Sequence, residues 1–339
     1  MNEHLLEIEN LRVSYQIYAG VVQSVRGISF SLDPGEILAI VGESGCGKSV
    51  TAKSIMRLIH APGAIMPGSH IYYQGEDVLA FDEKRLSEFR GGECSIIFQD
   101  ALTSLNPTMT VGRQIMENIR HHRLVDRKEA REEALNLLRK VGLSEPERRV
   151  RQYPHELSGG MRQRVMIAIA FANRPRILIA DEPTTALDVT IQAQIIDLIK
   201  KMAREDGTAV ILITHDMGVV ANVAERILIM YAGKVVEQGK ADDVFYATAH
   251  PYTALLLSSV PRLDLDSGEE LTAIRGTPPD LIHPPEGCAF CTRCDRTMEV
   301  CLREEPQMLP LGDGHEAACF LMNLESPFHP EAPARMKAP

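Results

Sequence analysis

The sequence predicts an α/β fold with a largely parallel sheet, followed by a small cysteine-rich region. Strand-like apolar runs alternate with helix-like segments from Ile177 to Tyr231, an order typical of parallel strands joined by helices. Earlier in the chain, the apolar run Ile37–Val41 leads into a glycine-rich loop and a helix-like segment, Ser49–Ile59. The composition then shifts toward prolines and cysteines, so we predict one domain at 1–250 and a second region at 251–339.

The overall composition is that of an ordinary globular protein, with 45% hydrophobic and 24% charged residues in 339. The net charge is −10, and no long basic run is present. A protein that coats nucleic acid needs clustered Lys and Arg, so we expect no nucleic-acid partner. The N-terminal segment is acidic without an apolar core, and no stretch approaches the roughly 18–20 apolar residues that cross a bilayer. We therefore expect a cytoplasmic protein whose membrane role, if it has one, depends on partners.

Before and after the glycine-rich loop, the pattern predicts further strands and helices. Leu5–Val13 alternates like a strand, and a second strand, Val25–Leu32, ends at the turn signal Asp33-Pro34-Gly35. Asp126–Val141 interleaves charged residues with Ala and Leu, which predicts an amphipathic helix with a solvated face. Gln163–Ala172 is another helix candidate, and it precedes the strands of the alternating half.

The glycine-rich segment Gly42–Ser49 matches the phosphate-loop pattern G-x-x-x-x-G-K-[ST] at every defined position. Its glycines let successive backbone N–H groups surround a β-phosphate, and the following helix adds the positive end of its dipole. Lys48 would supply charge to the β- and γ-phosphates, and the Ser49 hydroxyl can ligate Mg²⁺. We predict that ATP is bound by Gly42, Ser44, Gly45, Cys46, Gly47, Lys48, Ser49 and Val50.

Two adjacent acids follow the apolar strand Ile177–Ala180. Asp181 would hold Mg²⁺ through water at the carboxyl edge of the sheet. Glu182 would polarise the attacking water as a general base. Adjacent acids after a strand are often only a polar loop, but the phosphate loop earlier in the chain favours the catalytic interpretation.

A second glycine pair lies in Leu157–Gln163, which reads Leu-Ser-Gly-Gly-Met-Arg-Gln. Two glycines before a helix form an anion site, and one compact domain is not expected to hold a single γ-phosphate with two such loops. We therefore expect Ser158, Gly159, Gly160 and Gln163 to serve a nucleotide held by another molecule. Taken together, residues 5–250 resemble the ABC ATPase superfamily, although Met161 stands where its LSGGQ-like signature usually has Gln.

The resemblance implies an ABC-type P-loop ATPase domain, with a mixed sheet core and a helical signature subdomain. It assigns catalytic roles to Glu182, His215 and Gln99, and Mg²⁺ coordination to Ser49, Gln99 and Asp181. Ala186-Leu187-Asp188 resembles the loop that crosses the dimer interface, with Asp188 as its polar residue. Tyr15 stands where the family stacks an aromatic ring on adenine, and Tyr18 is close enough to compete for that role.

The chain contains one cassette, no fused membrane helices, and no long coiled coil in the interval Thr51–Glu156. It therefore looks like a separate motor subunit of an importer, with a soluble nucleic-acid ATPase as the alternative. The segments Gln99–Pro107 and Ala249–Leu256 resemble peptide-permease motors, and Val50 resembles the D-type member of a D/F pair. Nickel and glutathione importers look similar, so these solutes are alternatives to di- and oligopeptides.

The peptide-permease resemblance implies a peripheral protein at the cytoplasmic face of the membrane. Its expected partners are an F-type ATPase subunit in a heterodimer, two integral membrane permease subunits, and an extracytoplasmic solute-binding protein.

The last fifth of the chain is rich in cysteines. From chemistry alone, four thiolates in a Pro/Gly-rich segment suggest a fold held together by a metal, with zinc as one candidate. The resemblance implies a [4Fe–4S] cluster in segment 288–319, with Cys291 as a possible substitute ligand. A third possibility is that the cysteines are only buried in a small core. The expected ligands are Cys288, Cys294, Cys301 and Cys319.

Overall fold

The computed structural model describes residues 4–100, 104–185, 187–259 and 274–323. The strands are β1 Leu6–Ile17, β2 Gly20–Leu32, β3 Ile37–Val41, β4 Gly63–Ile65, β5 His70–Tyr73, β6 Glu76–Asp77, β7 Cys94–Ile97, β8 Ile177–Asp181, β9 Ala209–Thr214, β10 Arg226–Tyr231, β11 Lys234–Lys240, β12 Leu309–Gly312 and β13 His315–Ala317. The helices are α1 Lys48–Ile55, α2 Glu83–Glu88, α3 Val111–His122, α4 Arg127–Lys140, α5 Pro146–Arg149, α6 Gly159–Ala170, α7 Val189–Asp206, α8 Met217–Val223, α9 Ala241–Tyr246, α10 Pro251–Ser258 and α11 Glu299–Arg303.

The main sheet has the strand order β12-β13-β11-β10-β3-β9-β8-β7. The strands from β10 to β7 are parallel, while β11, β13 and β12 join the β10 edge in antiparallel pairs. Helices follow β3, β8 and β9, as the alternation of strands and helices in the sequence predicts. The predicted mixed sheet is confirmed.

The central strands are apolar because both faces of the sheet are covered. Every residue of β3, β8 and β9 is buried. In β8, Leu178 and Ala180 pack with the helices on one face, whereas Ile177 and Ile179 pack toward the smaller sheet on the other. This alternation follows from the two-residue period of a strand.

The smaller sheet is antiparallel and has the order β2-β1-β5-β6, with β4 added on β1. It contains both strands that the first alternating segments predict. Its inward side chains, among them Leu6, Ile8 and Leu32, are fully buried. They pack with Leu38 and Ile40 of β3, so the small sheet covers the strand that leads into the phosphate loop.

A helical layer, α3 to α6, covers the other face. The predicted amphipathic helix is confirmed as α4, which begins with a capping box between Asp126 and Glu129 and buries Ala130, Ala134 and Leu138. The next predicted helix is confirmed as α6, which starts earlier than the pattern indicates, at Gly159. Within the described residues, no helix is long and apolar enough to span a membrane.

The C-terminal region is joined to the main sheet. The β12–β13 hairpin adds to β11, so the sheet continues beyond the segment that the first 250 residues supply. The buried carboxylate of Glu237 in β11 accepts hydrogen bonds from the backbone N–H groups of Ala249 and His250, and its Oε1 lies 2.8 Å from His315 Nε2. The division at residue 250 stays a prediction.

Candidate functional site

The predicted phosphate-loop and catalytic residues meet at one edge of the main sheet, because neighbouring parallel strands end there. The phosphate loop follows β3, and Asp181 is the last residue of β8. Glu182 comes next, His215 follows β9, and Gln99 lies two residues beyond β7. The topology therefore brings together residues that are far apart in the sequence.

The phosphate loop requires glycine at two positions for steric reasons. Gly47 has φ 104°, and a Cβ there would lie 2.5 Å from the carbonyl oxygen of Ser24. A Cβ on Gly42 would lie 2.1 Å from the carbonyl oxygen of Met230. Lys48 begins α1, and its Nζ donates to the carbonyls of Gly42 at 2.7 Å and Glu43 at 2.9 Å. The lysine thus holds the loop in a closed shape that suits a phosphate group.

The remaining predicted residues of the loop lie in and beside it. Gly45 has φ 80°, and a Cβ there would meet nothing within 4 Å. The Cys46 side chain is buried, with its Sγ 3.8 Å from Lys48 Nζ. Ser44 lies within the loop, and Val50 lies in the first turn of α1.

A hydroxyl and a carboxylate lie together beside the loop. Ser49 Oγ donates to Asp181 Oδ1 at 2.8 Å. Asp181 is only 3% exposed, and burial raises the pKa of its carboxyl group above the ordinary value. Both groups offer the oxygen ligands that Mg²⁺ prefers, so this donor set fits the metal that the sequence predicts here.

Three side chains surround the carboxylate of Glu182. Gln99 Nε2 donates to Oε2 at 2.8 Å, the Thr185 hydroxyl donates to the same oxygen at 2.9 Å, and His215 Nδ1 lies 3.4 Å from Oε1. Glu182 has φ 47°, a left-handed conformation that costs energy in a residue with a side chain. Sequence reasoning missed Thr185, whose only signal is its place three residues after Glu182.

The predicted adenine-stacking residue lies apart from this edge, in β1. The half-buried ring of Tyr15 packs against Gly63 of β4. The alternative stacking residue, Tyr18, is fully exposed.

The signature segment lies at the start of α6, which packs against α3, α4, α7 and β7. Ser158 is exposed and caps the helix, since its Oγ accepts a 3.4 Å hydrogen bond from Met161 N–H. Gly159 and Gly160 form the first turn and are partly exposed. Gln163 is 4% exposed, so the structure buries it in the chain's own interior instead of placing it on the surface with Ser158.

The predicted dimer loop is described in part. Ala186 lies outside the described residues, as do Ala101, Leu102 and Thr103 of the segment that resembles peptide-permease motors. Asp188 is exposed and directly precedes α7.

Sequence reasoning also missed two contacts to the phosphate loop from the C-terminal region. The guanidinium of Arg293 donates two hydrogen bonds to the carboxylate of Glu43, and the Tyr252 hydroxyl accepts one from Glu43 N–H. No local pattern could reveal the Arg293 contact, because 250 sequence positions separate the two residues.

The cysteine-rich region corrects one prediction. Its five cysteines line one small cavity, but no three or more His, Cys, Asp or Glu side chains of the described residues are arranged to hold a metal. The predicted [4Fe–4S] cluster is therefore wrong, and zinc gains no support. The cysteines that line the cavity are Cys288, Cys291, Cys294, Cys301 and Cys319.

Comparisons with known proteins agree with the ATPase that the sequence motifs predict. The family model described as "ABC transporter" matches residues 25–185. The model "Oligopeptide/dipeptide transporter, C-terminal region" matches residues 236–301. The chain is 51% identical over 329 residues to the oligopeptide transport ATP-binding protein OppD of Bacillus subtilis, covering 97% of this chain and 90% of the relative. It is 52% identical over 321 residues to the dipeptide transport ATP-binding protein DppD of the same organism, covering 95% and 96%.

Two solved structures with a similar fold are dimers. One is a bacterial ABC transporter cassette, MJ0796, with a TM-score of 0.63 and 30% identity over 70% of this chain and 98% of that chain. A second structure of MJ0796, bound to ADP and Pi after hydrolysis, has a TM-score of 0.63 and 29% identity over the same shares of the two chains. Both are dimers of one cassette, so the heterodimer that the sequence predicts is corrected. The chain belongs to the ABC transporter family of ATPases, in the group of oligopeptide and dipeptide transport ATP-binding proteins.

Proposed function

We propose that this chain is the motor subunit of an importer for oligopeptides or dipeptides, and that it couples ATP hydrolysis to transport. The observation that carries the proposal is the Glu182 carboxylate held by Gln99, Thr185 and His215 beside the phosphate loop. The peptide class follows from the relatives OppD and DppD and from the match of the C-terminal region.

In this proposal, the backbone N–H groups of the phosphate loop and Lys48 bind the triphosphate, and Tyr15 stacks on the adenine. Ser49 and Asp181 would hold Mg²⁺, with Gln99 nearby, and the metal would neutralise charge on the phosphates. Glu182 accepts a proton from a water molecule while the water oxygen attacks the γ-phosphorus. The bond between the γ-phosphorus and the β–γ bridging oxygen breaks, and ADP leaves. His215 binds the γ-phosphate from the neighbouring strand end.

The signature supports a second part of the proposal, namely that the chain works beside another ABC cassette. Ser158 and the partly exposed Gly159 and Gly160 are available to a nucleotide held by the other cassette, and the exposed Asp188 lies at the interface. Gln163 is buried and would act only by supporting the signature helix.

The remaining expected partners complete an importer. Two integral membrane permease subunits and an extracytoplasmic solute-binding protein would hold this chain at the cytoplasmic face of the membrane. We also propose that residues 1–250 form the nucleotide-binding domain and residues 251–339 the region particular to peptide importers.

The solute is tested with the assembled importer in vesicles. ATP hydrolysis should rise when a peptide-loaded binding protein is added, and should not rise with nickel, glutathione or duplex DNA. Stimulation by DNA alone, with no response to a loaded binding protein, would contradict the transport function. Stimulation by nickel or glutathione instead of peptide would contradict only the solute class.

The second cassette is tested by mixing two inactive variants. Ser158→Arg blocks the signature, and Glu182→Gln removes the base. If two copies of this chain pair, each dimer with one chain of each variant regains one complete site. That site combines Glu182 of the Ser158→Arg chain with the signature of the Glu182→Gln chain. In an equal mixture about half of the dimers are mixed, and each has one complete site of two, so recovery of up to about a quarter of the wild-type activity is expected. Absence of recovery, with both variants folded and ATP-bound, means that the second cassette is a different chain.

A further inference from the structure

Glu43, the residue after the first glycine of the phosphate loop, is held from outside the loop. Arg293 donates from Nη1 to Glu43 Oε2 at 2.6 Å and from Nη2 to Oε1 at 3.0 Å. The backbone N–H of Glu43 donates to the Tyr252 hydroxyl at 2.9 Å. Both the side chain and the main chain of this loop residue are therefore attached to the C-terminal region.

Arg293 is itself fixed in place. Its side chain is 3% exposed, its Nε donates to the carbonyl of Arg275 at 2.9 Å, and its Nη1 lies 3.2 Å from the Tyr231 hydroxyl. Its guanidinium carbon lies 5.7 Å from the ring centroid of Tyr231 and 6.0 Å from that of Phe290. Hydrogen bonding to Glu43 raises the pKa of Arg293 further, so the residue is always charged. A planar guanidinium held on all sides can fix the position of a carboxylate.

A buried aromatic cluster packs beside the contact between Arg293 and Glu43. Tyr231 lies 4.6 Å from Tyr252 and 5.1 Å from Phe290 between ring centroids, and Tyr252 lies 5.3 Å from Phe290. All three side chains are fully buried. Tyr231 ends β10, the strand beside β3, and β3 leads into the phosphate loop. Close-packed interiors resist deformation, so this cluster gives Arg293 a rigid base.

The negative charge of Glu43 would disfavour phosphate binding if Arg293 did not neutralise it. Its carboxylate lies in a loop whose backbone would bind a polyanionic triphosphate. An unpaired carboxylate there would repel the phosphates, because like charges a few ångströms apart in a partly buried site interact strongly. The bidentate pair neutralises this charge and keeps it turned toward the C-terminal region.

We propose that Arg293 is a positioning residue for ATP binding, which acts by neutralising Glu43 and holding the phosphate loop in its binding shape. The inference rests on the proposed function, because it assumes that the loop binds ATP. It gives the C-terminal region, which peptide-importer relatives share, a direct effect on the nucleotide site.

The test measures the Kd of the full-length chain for MgATP, with thermal unfolding recorded in parallel. Arg293→Met should raise the Kd about tenfold, equivalent to about 1.4 kcal/mol. In the double variant with Glu43→Gln, most of the affinity should return, because the uncompensated charge is then gone. Arg293→Lys should lie between Arg293→Met and wild type. The matched control is Arg303→Met, which removes an exposed ion pair with Glu299 in the same region and should leave the Kd unchanged.

The rescue separates positioning from a merely structural role. If Arg293 only held the C-terminal region in place, Arg293→Met would lower the unfolding temperature, and Glu43→Gln would not restore the Kd. In the assembled importer, Arg293→Met should raise the KM for ATP and leave kcat within about twofold, since it alters ground-state binding.

Several outcomes would overturn the inference. One is an Arg293→Met chain that binds MgATP like wild type, and another is a double variant as weak as Arg293→Met alone. If Arg293→Met does not fold, Tyr252→Phe replaces it, and this change should weaken binding about twofold to threefold by loss of one hydrogen bond. An unchanged Kd for Tyr252→Phe would then count against the inference. A wild-type chain that fails to bind MgATP contradicts the proposed function itself, whereas normal wild-type binding with insensitive variants contradicts only the role of Arg293.

Discussion

The side-chain amide of Gln99 donates a hydrogen bond to the carboxylate of Glu182 across 2.8 Å. Gln99 follows the outermost parallel strand, β7, and Glu182 follows its neighbour, β8. Since Gln99 also opens the segment that leads into the helical layer, a movement of that segment would change the orientation of the carboxylate. The contact joins the predicted general base to the part of the chain that resembles the membrane-facing segment of peptide-permease motors.

Glu182→Gln should reduce steady-state ATP hydrolysis about 10²- to 10³-fold, because the amide cannot accept a proton from water. ATP binding should remain, since the phosphate loop is untouched. Phosphate release by the assembled importer measures the rate. The control is Glu205→Gln, an exposed glutamate on α7 that pairs with lysines and should retain full activity. An unchanged rate in Glu182→Gln would show that another group acts as the base.

Ser49→Ala should raise the Mg²⁺ concentration needed for half-maximal hydrolysis roughly tenfold, because one oxygen of the proposed Mg²⁺ site and the hydrogen bond to Asp181 are lost. A Mg²⁺ titration at saturating ATP measures this shift. Ser87→Ala removes an exposed hydroxyl that lies 3.1 Å from His121 Nε2, and this variant should show the wild-type Mg²⁺ requirement. If Ser49→Ala shows the wild-type Mg²⁺ requirement, the assignment of Ser49 to the metal is wrong.

Glu237→Ala should lower the free energy of unfolding by about 3 kcal/mol, because it leaves two buried backbone N–H groups and His315 without their carboxylate. Chemical denaturation measures the loss. Glu316→Ala removes a partly exposed carboxylate that pairs with Gln238, and it should cost less than about 1 kcal/mol. Equal losses in the two variants would contradict a special role for the buried carboxylate.

The stability of the chain should fall in mildly acidic solution through His250. Burial lowers the pKa of His250 from 6.5 to about 4, and its Nδ1 accepts a hydrogen bond from Tyr252 N–H, which requires the neutral ring. The folded state therefore binds fewer protons than the unfolded state between these values. The free energy of unfolding therefore has its full value above pH 6.5 and decreases as the pH falls toward about 4. The total decrease is on the order of 3 kcal/mol.

Unfolding free energies measured across this pH range check the His250 prediction. His250→Asn keeps a helix-capping oxygen but does not titrate, so its stability should vary less with pH than that of wild type. His155→Asn changes an exposed ring and should keep the wild-type slope. A His250→Asn chain with the wild-type slope would assign the pH dependence to other groups.

Local sequence was sufficient to predict a functional motif where that motif consists of consecutive residues. The phosphate loop needs glycines at fixed spacing, a lysine and a hydroxyl, and all of them lie within Gly42–Ser49. Asp181 and Glu182 were also predictable, because an apolar strand places the residues after it at the sheet edge. The signature glycines at the start of α6 were found for the same reason. Their roles remain predictions until the variants are measured.

Only the tertiary structure decided the contacts between distant parts of the chain. Sequence spacing suggested a metal cluster among the cysteines, but the described side chains lack a metal-holding arrangement. Gln163 adjoins the signature glycines in sequence, yet the rotation of α6 turns it into the interior. The pair formed by Glu43 and Arg293 depends on packing the C-terminal region against β10, and no local pattern encodes it. The sequence by itself determined the chemistry of each short motif, whereas packing determined which side chains hold these motifs in place.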